Sequence, residues 1–150
     1  MRIALFEPDI PQNTGNILRL GACLGIEIDI IEPTGYLLDD KKFKRSAMDY
    51  IKFVKYKRHI DWDSFFSWSK KNFYRIILLT TKSNKKYTDY VFQKNDILLF
   101  GRESAGVPEF VHNTANEKLT IPMVKGVRSI NVSSSVAIIV GEACRQLNHY

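Results

Sequence analysis

Short apolar runs alternate with amphipathic, helix-like segments along the whole chain. The two clearest runs are YRIILLTT (Tyr74 to Thr81) and DILLFG (Asp96 to Gly101), which are nearly all apolar and are bounded by polar turns. Strands of this length that are apolar on both faces are typical of a parallel sheet covered by helices on both sides. The chain is therefore predicted to be an α/β protein with a mostly parallel sheet and helices on both faces.

The beginning of the chain predicts one strand–helix–strand unit. RIALFEP forms a buried strand closed by Pro8, and IEIDIIEP forms a second strand over residues 26–32. Between them, Asn13 or Thr14 is a candidate N-cap for a helix that ends against Gly25. Because a connection of this kind joins parallel neighbours, the two strands are expected to pair in parallel.

The remaining elements are predicted from caps, apolar spacing and proline positions. The middle of the chain predicts a basic helix opened by Asp39 and Asp40, then a strand over Phe53 to Tyr56. A helix capped by Asp61 follows and is expected to bury Trp62, Phe65 and Phe66. The C-terminal part predicts a helix with Pro108 at N1, a last strand over Leu119 to Met123 and a final helix from about Asn131 to Asn148. No repeat or linker interrupts this series, so residues 1–150 are expected to form a single domain.

The charge balance favours a polyanionic partner. Lysine and arginine outnumber the acidic residues by 22 to 16, which gives a net charge of +6 and a pI near 9.3. Three basic clusters, KKFKR, KYKRH and KSNKK, lie between the predicted strands, and Tyr50, Phe53 and Tyr56 are interleaved with the second of them. Such clusters are either solvated faces or, with aromatic neighbours, surfaces suited to single-stranded RNA.

Cysteine and histidine usage predicts a reduced protein without a metal. Cys23 and Cys144 fall in predicted helices among apolar neighbours, where buried thiols are expected. His59, His112 and His149 have no ligand spacing with the cysteines or with one another. The N-terminus does not resemble a signal peptide and no apolar run is long enough to span a bilayer, so a soluble, cytoplasmic protein is expected.

Polar loops follow three of the predicted strands. They are TTKSN, GRESAG and VKGVRSINVSSS, and the carboxyl ends of parallel strands are where open α/β sheets bind ligands. The third loop places several hydroxyl and amide side chains before the final helix, although a helix needs only one N-cap. The excess indicates a binding site for a polar ligand with an apolar base.

The second of these loops carries one carboxylate between two glycines. Glu103 lies between Gly101 and Gly106, so the turn is either a surface connection to the Pro108 helix or a support for a cationic or multi-donor ligand. Dinucleotide binding, a conventional class I methyltransferase and an NTPase are disfavoured because the glycine-rich phosphate loops are missing. A nucleophile elbow is also missing, which disfavours a hydrolase.

A row of small residues runs along the final helix beside its apolar stripe. The row consists of Ser134, Ala137 and Gly141, and small residues at this spacing allow another helix to approach closely. Two interpretations stay open from the pattern alone. The row either packs within the molecule or forms a dimer interface.

Three segments resemble the motifs of SPOUT-class RNA 2′-O-methyltransferases. They are NTGNILRLGACLG, LLFGRESAGVP and IPMVKGVRSINVSSSVAIIVGEACRQL, and together with EPDIPQNTGNI and IIEPTGYLLDDKKFKR they are most similar to the TrmL-type tRNA (cytidine/uridine-2′-O)-methyltransferases. The resemblance extends over essentially the whole chain. It implies methylation of the wobble ribose in the anticodon loop of tRNA.

The resemblance implies a fold, a cofactor and an assembly that periodicity does not reveal. The C-terminal part of the sheet should form a deep trefoil knot that holds S-adenosylmethionine in a bent conformation, and the protein should be a homodimer with active sites at the subunit interface. The implied cofactor-binding residues are Leu79, Gly101, Ile121 and Ser129, with Met123 lining the adenine pocket.

The resemblance also implies catalytic and RNA-binding residues. Arg19 is the activating residue of the first motif, Asn13 and Asn131 fix the loop and ribose geometry, and Glu103 supports the second motif. Because the pKa of arginine exceeds about 12, Arg19 is expected to bind a phosphate and lower the pKa of the hydroxyl group, while the phosphate or a water takes the proton. The residues expected to hold the anticodon stem-loop are Lys41, Lys42, Lys44 and Arg45.

The chain departs from the family pattern at Gly141, where relatives often carry tyrosine, and the resemblance assigns no role to Arg102 or Ser104. Three other functions remain open at this point. The chain could methylate rRNA or another tRNA position, bind RNA without catalysis, or be a flavodoxin-like small-molecule domain.

Overall fold

The structure is a computed structural model that describes residues 1–37, 50 and 52–149. Within these residues, six strands form one sheet in the order β3-β2-β1-β5-β4-β6, and all neighbouring strands pair in parallel. The strands are β1 (Arg2–Phe6), β2 (Glu27–Ile31), β3 (Tyr56–His59), β4 (Arg75–Leu79), β5 (Asp96–Phe100) and β6 (Glu117–Leu119). The helices are α1 (Pro11–Leu24), α2 (Trp62–Lys71), α3 (Glu109–Thr114) and α4 (Val132–Leu147), with a 3-10 turn at Tyr87–Asp89.

Helices cover both faces of the sheet, as the sequence predicts. Alternate strand residues point to opposite sides, so each face has its own apolar cluster. The cluster under α1 and α4 contains Ile3, Leu5, Ile28, Ile30, Ile77 and Leu98 from the strands. The cluster under α2 and α3 contains Ala4, Phe6, Ile31, Ile76, Leu78 and Leu99.

The first strand–helix–strand unit is confirmed, but the predicted start of its helix is wrong. β1 and β2 pair in parallel, with Arg2 opposite Glu27, and Gly25 ends α1 in the left-handed conformation at φ 64°. The helix begins at Pro11, and Ile10 is its N-cap without a side-chain cap hydrogen bond. Asn13 and Thr14 are therefore inside the first turn, where both are buried, and are free to make tertiary contacts.

Two predicted strands are displaced along the chain: β3 begins three residues later, and β6 begins two residues earlier and ends four residues earlier. β3 covers Tyr56–His59 rather than starting at Phe53, because the Phe53 N–H donates to the Tyr50 carbonyl in a turn instead of to a neighbouring strand. β6 covers Glu117–Leu119 and ends before Pro122, which has no N–H to donate to a strand partner. The apolar residues beyond β6 are therefore released from the sheet.

The predicted cap of α2 is confirmed, and α4 begins one residue after the predicted start at Asn131. Asp61 caps α2 by accepting from the Ser64 N–H at 2.8 Å, and Asn131 caps α4 by accepting from the N–H groups of Ser133 and Ser134. Pro108 is the N-cap of α3 rather than its N1 residue. Trp62 and Phe65 are buried under α2 as predicted, while Phe66 is only partly buried.

The two thiols differ in burial. Cys144 is fully buried in the core as predicted, whereas Cys23 is exposed on α1, so the expectation that it is buried is wrong. Among the helices described, none has the length and apolar character needed to cross a membrane. The predicted basic helix opened by Asp39 and Asp40 lies outside the described residues.

Candidate active site

A cavity of about 510 Å³ opens at the carboxyl ends of β4 and β5. The three polar loops singled out in the sequence form its walls, and the first turn of α1 contributes Ile10 and Asn13. Leu78 and Phe100, which are at most 2% exposed, are the most buried of the lining residues. The volume and the mixture of an apolar floor with polar walls suit a ligand of nucleoside size.

The glycines of the second loop hold it against the cavity. The backbone of Arg102 and that of Gly106 exchange two hydrogen bonds of 3.1 and 2.8 Å across the turn. A Cβ on Gly101 would lie 2.6 Å from the carbonyl carbon of Gly106, and Gly106 itself has φ 68°. A side chain at Gly101 would push the loop apart, and one at Gly106 would be strained by the positive φ, so the turn depends on both glycines.

A chain of side-chain hydrogen bonds joins the first turn of α1 to the loop that follows β5 and to the start of α4. Asn131 Nδ2 donates to Asn13 Oδ1 at 3.0 Å, and Asn13 Nδ2 donates to Glu103 Oε1 at 2.9 Å. Asn131 Oδ1 at the same time accepts from the Ser133 N–H at 2.9 Å as the cap of α4. The segments resembling the three family motifs are thus fixed to one another through Asn13.

Asp9 and Glu103 hold each other in a reciprocal arrangement. The Asp9 N–H donates to Glu103 Oε2 at 3.0 Å, and the Glu103 N–H donates to Asp9 Oδ1 at 3.1 Å, with Ser104 also donating through its hydroxyl to Asp9. Burial raises the pKa of Glu103. Hydrogen bonds from Glu103 and Ser104 outweigh burial at Asp9 and lower its pKa. Of the two carboxyl groups, Glu103 is therefore the one more easily protonated.

The series of hydroxyl residues before α4 divides into two roles. Asn131 is the cap, and the Ser133 hydroxyl donates to Asn131 Oδ1 at 2.7 Å. Ser129 and Ser135 instead line the cavity. The excess of polar residues over the needs of one helix cap is thus explained by a cavity wall.

The predicted cofactor residues meet at one place. Leu79, Gly101, Ile121, Met123 and Ser129 all line the cavity. Ile121 and Met123 reach it because β6 ends at Leu119, two residues before Ile121. The displaced end of the last strand is therefore what makes these side chains available to a ligand.

The predicted catalytic residues are only partly brought together. Asn13, Glu103 and Asn131 line the cavity, but Arg19 is absent from its described lining and lies on the exposed side of α1. The guanidinium carbon of Arg19 is 4.8 Å from the centre of the Tyr50 ring. Within residues 1–37, 50 and 52–149, Arg19 therefore lies apart from the cavity lining.

Several lining residues were not predicted from the sequence. They are Ile10, Thr120 and His112, and Asp9 acts just behind them through Glu103. Lys82 and Arg128 also line the cavity and lie in two of the predicted loops, although they were given no role of their own. Asp9 could have been found, since it follows β1 at the same edge of the sheet as the three polar loops. Arg102 forms an ion pair with Glu7, which fixes one more point of the second loop.

The four predicted RNA-binding residues, Lys41, Lys42, Lys44 and Arg45, lie outside the described residues. The loop that leads to them is described and is attached to the site. The Gly35 N–H donates to the Pro8 carbonyl at 2.9 Å, and the Tyr36 hydroxyl donates to Thr14 in the first turn of α1. Burial raises the pKa of Tyr36 to about 12, so this hydroxyl stays a donor at neutral pH.

Comparison with known proteins identifies relatives of the chain. The SpoU rRNA Methylase family matches residues 1–141. A tRNA (cytidine(34)-2′-O)-methyltransferase from Beijerinckia indica is 48% identical over 145 residues, which cover 97% of this chain and 91% of that protein.

Two solved structures extend the likeness to the fold. A chain described as giving structural insights into the 2-OH methylation of C/U34 on tRNA has 35% identity and a TM-score of 0.93, covering 99% of this chain and 97% of that chain. The SpoU methyltransferase AviRb from Streptomyces viridochromogenes, solved in complex with AdoMet, has 20% identity and a TM-score of 0.91, covering 100% of this chain and 61% of its own.

Proposed function

The chain belongs to the SpoU rRNA methylase family, and on that premise we propose that it methylates the 2′-oxygen of the wobble ribose, position 34, in tRNA. The methyl donor is S-adenosylmethionine. The name of the 48% identical relative supports the substrate, and the AdoMet complex of a structural neighbour supports the cofactor.

One observation carries the proposal. All five expected cofactor residues line a single cavity, and the hydrogen-bonded chain from Asn131 through Asn13 to Glu103 lies on its wall. An RNA-binding protein without catalysis would have no need for such a pre-formed cavity with an apolar floor. The geometry therefore favours an enzyme.

The cavity fits S-adenosylmethionine by size and by the chemistry of its lining. Leu78 and Phe100 offer an apolar floor for the adenine ring, and the loops around Gly101 and Ser129 offer backbone groups and hydroxyls for the ribose and the amino acid part. The cofactor supplies a methyl group on a sulfonium centre, which the RNA hydroxyl attacks in line. The protein's part is therefore to position the oxygen and ease its deprotonation.

Asn13 and Asn131 hold the reaction geometry in this proposal. Because each uses one amide atom on the other, their orientations are fixed before the RNA arrives. Glu103 keeps Asn13 in place and fastens the second loop to Asp9. The proposal also treats residues 1–150 as a single domain that carries the whole site.

We assign Arg19 to the active site of a partner subunit. Arg19 lies on the exposed side of α1. The neighbouring helix α4 contacts α1 and exposes a row of residues, namely Ser134, Ala137, Ile138 and Gly141. Two copies packed through this surface form a homodimer in which Arg19 of one copy reaches the cavity of the other. There the guanidinium binds the phosphate next to the target ribose and lowers the pKa of its hydroxyl, and the phosphate or a water takes the proton.

A trefoil knot is the proposed path of the C-terminal segment. β6 pairs with β4 at the edge of the sheet, while α4 covers the opposite side of the core next to α1. Residues 120–131 join them and start beside the loop after β4, where Thr120 N–H donates to the Lys85 carbonyl at 2.8 Å. Residues of this segment line the cavity together with the loops after β4 and β5, which supports a knot whose walls are the cofactor site.

The anticodon stem-loop is proposed to bind at Lys41, Lys42, Lys44 and Arg45. The contacts of Gly35 and Tyr36 with the first turn of α1 support a position close to the cavity for the start of this segment. Phosphate binding by several lysines should make the affinity for tRNA fall steeply with salt. A tRNA substrate also supports the expected cytoplasmic location.

The direct test is methyl transfer from labelled S-adenosylmethionine to cellular tRNA that lacks the wobble modification, followed by mapping of the labelled nucleoside. Label in the ribose of nucleotide 34 is expected. Label in rRNA or at another tRNA position would contradict the substrate but keep the reaction. Cofactor binding without any label in either RNA would contradict catalysis.

Arg19→Ala tests the shared active site. The variant should lose about a hundredfold or more in turnover while S-adenosylhomocysteine binds as before. Mixed dimers of Arg19→Ala with Ile121→Trp, which fills the cavity, should regain activity, since one site then has both cofactor and arginine. Mixed dimers that stay inactive would place Arg19 in the site of its own subunit and contradict the arrangement.

A further inference from the structure

One side chain on the cavity wall has an unsatisfied nitrogen. Among the described residues, Nε2 of His112 is the buried side-chain nitrogen or oxygen atom that lacks a hydrogen-bond partner. His112 lies on α3, whose backbone fixes it through a 3.0 Å hydrogen bond from its N–H to the Pro108 carbonyl, and its side chain lines the cavity. The proposed function gives this residue no role.

The other two histidines show that this is not the usual situation in the chain. His59 Nε2 lies 2.8 Å from Asp29 Oδ1, and His149 Nε2 lies 2.8 Å from the Leu24 carbonyl oxygen. An imidazole nitrogen must act as a donor or an acceptor, and burying it without a partner disfavours the folded state. A partner supplied by a ligand resolves this at His112.

The surroundings of His112 indicate which part of a ligand that partner is. The same cavity is lined by Leu78, Phe100 and Val107, which are apolar, and the two former are its most buried residues. An adenine ring has two apolar faces and an edge of ring nitrogens and an amino group. It therefore needs an apolar slot with at least one polar group beside it.

Charged groups of the lining are less suitable partners for that edge. Arg102 is paired with Glu7, and Glu103 is held by Asn13 and Asp9. Lys82 and Arg128 are exposed at the rim. Asn13 is more buried, but its amide is already used by Glu103 and Asn131. His112 is the partly buried lining residue whose nitrogen lacks a partner among the described residues, and rotation about its Cβ–Cγ bond can turn a ring nitrogen toward a ligand.

We propose that His112 recognises the polar edge of the adenine ring of S-adenosylmethionine and so contributes to cofactor affinity. The proposal rests on the proposed function, because it assumes that this cofactor occupies the cavity. It makes His112 a binding residue for the nucleoside part of the cofactor and gives it no part in the proton transfer.

Calorimetric titration with S-adenosylhomocysteine tests the contact without turnover. His112→Leu keeps the side-chain volume nearly unchanged and should weaken binding about three- to tenfold, the usual value of one neutral hydrogen bond. The melting temperature of the ligand-free variant should stay unchanged or rise, because the unsatisfied nitrogen is gone. His149→Leu, the matched control, should bind S-adenosylhomocysteine like the wild type. Equal affinity of wild type and His112→Leu would overturn the proposal.

A shortened ligand identifies the contacted part. 5′-Methylthioadenosine has the nucleoside but lacks the amino acid, so His112→Leu should weaken its binding by the same factor as that of S-adenosylhomocysteine. A loss seen with S-adenosylhomocysteine alone would move the contact to the amino acid end and contradict the assignment to adenine.

Imidazole nitrogen NMR gives an independent readout. The chain has three histidines, and the signals missing in His112→Leu identify those of His112. They should shift on addition of S-adenosylhomocysteine, while those of His59 should not. The two proposals fail in different ways. If the proposed function is wrong, the wild type does not bind S-adenosylhomocysteine at all. If only the role of His112 is wrong, the wild type still binds it.

Discussion

The two ends of strand β5 carry carboxylates in opposite situations. Asp96 begins the strand and is fully buried, and it accepts from Arg75 Nε at 2.8 Å, from the Gln93 N–H at 2.8 Å and from the Tyr90 hydroxyl at 3.3 Å. Glu103 follows the other end of the strand and is held by Asn13 and the Asp9 N–H at the wall of the cavity. The first group is closed off by its partners and the second is open to a ligand.

The difference indicates how the molecule separates stability from function. Around Asp96, the positive charge of Arg75 and the Tyr90 hydroxyl, whose pKa burial raises to about 12, complete a local network around a fully buried carboxylate. Around Glu103 the partners are neutral amides and backbone groups, and burial raises the pKa of its carboxyl. Changes at Asp96 should therefore affect folding, and changes near Glu103 should affect the site.

Asp96→Ala should have the largest effect on stability. It leaves the Arg75 guanidinium without its partner and the Gln93 N–H without an acceptor, which costs about 3 kcal/mol. Urea denaturation measures this free energy of unfolding. Asp89→Ala, at an exposed position nearby, is the control and should change it by less than about 0.5 kcal/mol. The affinity of folded Asp96→Ala for S-adenosylhomocysteine should be unchanged. A similar loss of unfolding free energy in Asp96→Ala and Asp89→Ala would contradict the closed network around Asp96.

Two helix caps provide the next contrast, with an intermediate effect. Asn131→Ala and Asp61→Ala each remove an N-cap and should destabilise the protein by about 1 kcal/mol. Only Asn131 also holds Asn13 in the cavity wall, so only its loss should weaken S-adenosylhomocysteine binding and methyl transfer. Equal effects of the two substitutions on binding would mean that Asn131 is no more than a cap.

The local signals in the sequence predicted the parts of the fold that local physics decides. Three local signals act within a few residues, and the structure confirms them. They are the apolar runs of β4 and β5, the glycine after α1 and the aspartate before α2. Asn13 misled the prediction because its side chain has the chemistry of a cap but is used for a contact with Glu103, distant in sequence. Propensity cannot distinguish these two uses of an amide.

Tertiary geometry decided the rest of the site. The three polar loops were expected to meet because carboxyl ends of parallel strands share an edge, and they do. Two features depend on which face of a helix meets which loop. They are the position of Arg19 outside the described lining of the cavity and the unpartnered nitrogen of His112. No spacing rule in a single sequence gives that information, and the role of Arg19 stays a prediction.

Glu103→Gln should show the smallest effect, visible mainly as a dependence on pH. Because the pKa of Glu103 is raised in the folded protein, the folded state binds a proton at pH values where the unfolded chain has already lost it. The stability of wild type relative to Glu103→Gln should therefore increase as the pH falls from 7 toward the ordinary glutamate pKa near 4.5. The lowered pKa of Asp9 acts in the opposite direction, but only near and below its ordinary value of 3.8. Thermal unfolding of both proteins between these pH limits measures the trend, which we expect to stay within about 1 kcal/mol. If the difference in stability between wild type and Glu103→Gln is constant with pH, the Glu103 carboxylate is as fully solvated as a glutamate on the surface. Glu103 and Asp96 would then differ only in their hydrogen-bond partners.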